Sequence, residues 1–186
     1  EGAGGAFIAW QDRRNTNNDV YCQRVTGAGA AQWTAAVAVA SGAGDQLGMQ
    51  VINDGEGGII LAWEDSRGGM KDIYCQKING AGAALWKANG IAICAAAGDQ
   101  FSPRLASDSS GGAIIIWWDY RTSKNYDLYC QRISSAGEAK WGTDGILVFS
   151  QRNKTNLAFP VYAPAIINDN EGGAVIAWQD ERSGSF

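Results

Sequence analysis

Apolar residues in this chain gather in short runs such as "GIILAW" and "AIIIWW", separated by segments rich in Gly, Asp and Asn. Runs of that length, heavy in Ile, Val and aromatics, predict β-strands. No segment sustains the 3.6-residue stripe that a helix needs. Around the middle of the chain four strands are predicted, at 48–54 (GMQVIND), 58–65 (GIILAWED), 72–78 (DIYCQKI) and 90–96 (GIAICAA).

The pattern repeats. "GGIILAWEDSRGGMKDIYCQKINGAGAALW" at 57–86 has a near-copy on either side, and "GGAVIAWQDER" begins a fourth. Trp10, Trp63, Trp117 and Trp178 fall in register. Between the first two strands of a unit lies Asp-x-x-Gly-Gly (Asp54 to Gly58, Asp108 to Gly112, Asp169 to Gly173). Gly supplies positive φ and Asp bonds the backbone two residues on, so the segment predicts a hairpin turn. Four antiparallel strands in a unit of roughly 50 residues predict an all-β chain of propeller blades of kelch-like type, with a stack of flat hairpins or a solenoid as the alternative. The expected layout is a single partial β-propeller over 1–186. Blade I contributes strands two to four at 5–42, blade II spans 46–97, blade III 100–150, and blade IV strands one and two at 160–181. That is about 3¼ four-stranded blades, a tally expected of a segment from a longer polypeptide. The remaining blades would come from that polypeptide or from an associated chain.

Repeated side chains read first as structure. Trp10/Asp12/Arg14, Trp63/Asp65/Arg67, Trp117/Asp119/Arg121 and Trp178/Asp180/Arg182 alternate along a strand and so share a face. They suit a Trp packed between blades with an ion pair at the strand end. Asp19, Asp72 and Asp127 are placed to join that ion-pair network across the hairpin. A second Trp follows a glycine in Gly29/Trp33, Gly82/Trp86 and Gly137/Trp141, and is expected to lock the outer strand. Cys22, Cys75 and Cys130 recur at one strand position, as small buried side chains. Pairing 72–78 with 90–96 around residue 84.5 sets Cys75 opposite Cys94, which puts a cross-strand disulfide within reach; a slipped register forbids it.

Composition narrows the chemistry. Fifteen Lys and Arg against nineteen Asp and Glu give a net charge of −4 without basic runs, which excludes a phosphate-binding stripe and with it a nucleic-acid partner. The apolar runs are far shorter than the roughly 20 residues of a membrane helix, so no membrane insertion is expected. With no histidine, the commonest general base and metal ligand is missing. No cofactor, metal or catalytic residue is assigned; the oxygen-rich "RNTNND" at 14–19 lacks EF-hand spacing.

Departures from the repeat mark candidate ligand-binding positions. Trp118 and Tyr120 replace residues that are polar in the other units, Tyr126 lies in the adjacent loop, and the longer connection 150–164 carries Arg152, Asn153 and Lys154. Exposed rings beside polar groups suit stacking on sugar or peptide. The same rings also suit packing under Phe159 and Tyr162. Asp45 and Asp99, in "GDQ" steps before an inner strand, fit either a turn cap or the paired carboxylates of glycoside hydrolysis.

The order P-x-x-A-x-D, Gly-Gly, A-I-I-I-W-x-D-x-R, D-L-Y-C-Q-R at 103–132 resembles the sialidase-like propeller repeats of secreted bacterial surface proteins. "NGAGAALW" at 79–86 is similar to a degenerate Asp-box, without its Ser and Asp and with one extra residue before the Trp. The resemblance implies an extracellular module at the surface of a Gram-negative bacterium, its leader outside this sequence. The expected role is non-catalytic recognition or scaffolding through loops on one propeller face, with protein or glycan as partner. A sialidase-type glycoside hydrolase and a purely structural subunit of a surface assembly are the alternatives.

Overall fold

The computed structural model describes residues 4–150 and 162–179. Within them the chain is all-β, with thirteen strands in four antiparallel sheets. The first unit holds β1 (Ala6–Asn15), β2 (Asn17–Val25) and β3 (Val37–Ala40). The second holds β4 (Gln46–Asn53), β5 (Ile59–Asp65), β6 (Asp72–Ile78) and β7 (Ile91–Cys94). The third holds β8 (Gln100–Ser107), β9 (Ala113–Asp119), β10 (Asp127–Ile133) and β11 (Ile146–Phe149), and the fourth β12 (Ala165–Asn168) and β13 (Ala174–Ala177). Every sheet is a meander in chain order. The described sheets do not close into a ring.

The Asp-Gly-Gly turns show why each unit begins as it does. Asp54 Oδ1 accepts the amides of Glu56 and Gly58, both at 2.8 Å, and Asp108 does the same for Ser110 and Gly112 at 2.9 and 2.8 Å. The first glycine of each pair has positive φ (Gly57 +88°, Gly111 +77°). The second lies so close to the carbonyl of the third strand that a Cβ on Gly58 would stand 2.4 Å from the Ile78 oxygen. A side chain at either glycine is therefore resisted, one by conformation and one by space.

The cores lie between sheets. In β5, Ile59, Leu61 and Trp63 pack with Val20, Cys22 and Val39 of the first unit, while Ile60 and Ala62 pack with Leu105, Ile115 and Trp117 of the third. All seven residues of β5, and likewise of β9, are buried. Burial on both faces explains why these strands read as unbroken apolar runs rather than as an in-out alternation. A third cluster, Phe101, Trp118, Leu128 and Phe149, receives Ile176 from the fourth unit.

Outer-strand pairing departs from the register that would join Cys75 to Cys94. Cys94 stands opposite Ile73 and Cys75 opposite Ile91, with a shift between Ile73 and Tyr74. All four cysteines are buried free thiols, so the disulfide is not formed. The shift accompanies the turn before β7, where Gly90 (φ +86°) sits under Trp63 with no room for a Cβ, which would come 2.5 Å from the indole.

Candidate recognition surface

The Trp-Asp-Arg motif forms a closed polar module. Trp63 Nε1 donates to Asp65 Oδ2 at 2.8 Å, and Arg67 Nε and Nη2 grip the same carboxylate at 2.8 and 2.5 Å. The guanidinium lies 4.0 Å over the Tyr74 ring and also donates to the Asn89 carbonyl at 2.7 Å. The third unit repeats this with Trp117, Asp119, Arg121, Tyr129 and the Asp144 carbonyl. The first uses Trp10, Asp12, Arg14 and Tyr21, and the Arg14 guanidinium beside Asp12 holds that carboxyl well below the usual range. Asp180 and Arg182 lie outside the described residues.

Asp19, Asp72 and Asp127 do not extend this network as ion pairs. Each stands opposite the motif carboxylate: Asp12 faces Asp19, Asp65 faces Asp72, and Asp119 faces Asp127. Asp19 accepts from Asn15 Nδ2 and Asp127 from Ser150 Oγ. Burial, followed by the charge of Asp65, pushes the Asp72 carboxyl up to about 6.

Other repeated polar groups tie one unit to the next. Asp45, entering the second unit, accepts the Asn18 amide and Nδ2 from a loop of the first at 2.8 and 2.9 Å; these bonds, the backbone one foremost, lower its pKa. Asp99, entering the third, accepts the Lys71 amide of the second at 3.0 Å. Both carboxylates act as caps on a neighbour's loop. At the outer rim Trp33 Nε1 donates to the Gly80 carbonyl and Trp86 Nε1 to that of Ser135, so the second Trp of a unit fastens the following unit rather than its own outer strand.

The candidate ligand positions divide. Trp118 is buried among Phe101, Leu128 and Phe149, and its Nε1 donates to the Tyr162 carbonyl at 3.2 Å. It is a strut to the fourth unit and offers no free ring face. Its counterpart Glu64 has the same task by other chemistry, accepting the Ser102 amide of the third unit at 2.9 Å. Tyr120 and Tyr126 are brought together, stacked at 4.8 Å and partly exposed, with Phe101 edge-on to Tyr126 at 5.5 Å. The Tyr120 hydroxyl donates to the Ser123 carbonyl, and burial raises the Tyr126 pKa. Arg152, Asn153, Lys154 and Phe159 lie outside the described residues. Among the described residues no group of three or more His, Cys, Asp and Glu is arranged to hold a metal ion.

Several structural residues escaped the sequence reading. Gln23, Gln76 and Gln131, following each strand cysteine, accept the amide of the outer Trp through Oε1, at 3.2, 3.0 and 2.9 Å. Lys77, one position on, is buried; its Nζ reaches Glu56 Oε2 at 2.7 Å and the Gly111 carbonyl of the third unit at 2.9 Å. Arg24 makes the matching reach to Gly80. Asn89 and Asp144 accept the Ser41 and Ala95 amides of the preceding units. The signal was present as identity at fixed offsets in each copy, but nothing in one strand states that its polar ends reach another sheet.

Compared with protein-family models, curated proteins and solved structures, the chain finds no match.

Proposed function

We propose that the four units belong to an extracellular β-propeller serving as a non-catalytic recognition or scaffolding module, its loops contacting a protein or glycan at a cell surface. One observation carries this reading: the repeated carboxylates that invite a catalytic interpretation are engaged in holding the fold. Asp12, Asp65 and Asp119 are locked by Trp and Arg, and Asp45 and Asp99 by amides of the preceding unit. A general acid needs its pKa raised toward the working pH, whereas Asp45 is lowered. What sets one loop apart is the Tyr120–Tyr126 pair, a rigid, partly exposed aromatic step of the kind that binds flat sugar or peptide faces.

A ring is supported by the bare ends of the stack. Ile8 is 48% exposed where its counterpart Leu61 is 0%, and Val175 is 56% exposed where Ile114 is 2%. Further blades, from the same polypeptide or an associated chain, would cover both faces as neighbouring units cover those between. The test is a screen of glycan arrays and surface-protein extracts with the chain and with a Tyr120→Ala/Tyr126→Ala variant, alongside fluorogenic sialosides. Binding lost in the variant without sialoside turnover is expected. Turnover abolished by Asp45→Asn or Asp99→Asn would establish the sialidase-type hydrolase instead.

A further inference from the structure

Among the described residues the first unit has three strands where the second and third have four, so β1 pairs with β2 along one edge and leaves the other open. Beside that edge lies a cleft of about 270 Å³ lined by Gly5, Ala6, Phe7, Val51, Ile52, Asn53 and Ile59. Its floor is apolar by default of a neighbour: Val51 is 41% exposed, whereas the equivalent Leu105 of the third unit is 7%. Leu105 is covered in a cluster to which Ile52 of β4 contributes, and β4 packs along β8 as β8 does along β12. The one inner-strand contact missing from this series is the one this cleft would take.

We propose that the cleft is a binding site for an extended peptide with the alternating pattern of the inner strands, added antiparallel to β1. An open strand edge supplies main-chain affinity, and a pocket for an alternate side chain supplies selectivity. The register is set by the second unit, where Ile52 stands opposite Ile60, the counterpart of Phe7. A peptide copying β4 therefore brings its own Ile52 position opposite Phe7 and over Val51 of the chain, reproducing the contact that buries Leu105.

The test is calorimetric titration of the chain with a synthetic peptide of residues 46–54, QLGMQVIND. Saturable one-to-one binding and a raised melting temperature are expected. Val51→Asp changes an exposed side chain, so circular dichroism should show an intact fold while affinity falls by about tenfold or more. Ile52→Asp in the peptide should do the same. The proposal is overturned if the folded chain binds no peptide. It is equally overturned if a scrambled peptide or the Val51→Asp chain binds as well. Self-association of the peptide-free chain that Val51→Asp abolishes would assign the cleft to a second copy and also overturn it.

Discussion

Removing the Asp65 carboxylate would strand several donors at once: the buried Trp63 indole N–H and the Arg67 guanidinium and amide. Asp65→Ala is expected to cost about 2–4 kcal/mol in urea denaturation, because unmet buried donors cost more than a bond contributes. Asp72 behaves in the opposite sense. Its carboxyl rises from 3.8 to about 6, so the folded state holds the extra proton and stability declines as pH rises through that window. Asp72→Asn should therefore raise the melting temperature at pH 7 and give no gain below pH 4. Burial also pushes Cys22 and Cys94 up to about 12 and Cys130 to about 11. A thiol reagent is expected to find four reactive groups only after unfolding, whereas a disulfide would leave two.

Each element's position rests on whether its signal is local. The Asp-x-x-Gly-Gly turn was legible because its bonds run within five residues, and the central strands because apolar runs need nothing beyond themselves. The outer register was not legible. It depends on Gly90 tucking under Trp63 from another strand and on a shift at Ile73/Tyr74 that no spacing announces. Gly90→Ala combines a positive φ with a clash, and should cost about 2 kcal/mol or more in thermal or urea unfolding. Trp118 was misleading for a related reason: a departure from the repeat marks a changed neighbour as readily as a ligand. Glu64 braces the third unit with a carboxylate, and Trp118 braces the fourth with an indole.

Across the molecule the units are joined by the same bonds twice over. Trp33 to Gly80 is followed by Trp86 to Ser135, Asn18 to Asp45 by Lys71 to Asp99, and Ser41 to Asn89 by Ala95 to Asp144. Repetition of these links, rather than of any one strand, makes the sheets a rigid stack and fixes the loops at one end. Rigid loops are what a recognition surface requires, since ordering them on binding would weaken affinity. The claim is tested most directly by amide hydrogen exchange at Asn18 and Lys71, both in connecting loops. Both amides should be protected in the native chain, Asp45→Ala should release Asn18 alone, and Asp99→Ala should release Lys71 alone. Exchange of both at the rate of an unstructured peptide in the unaltered chain would contradict it.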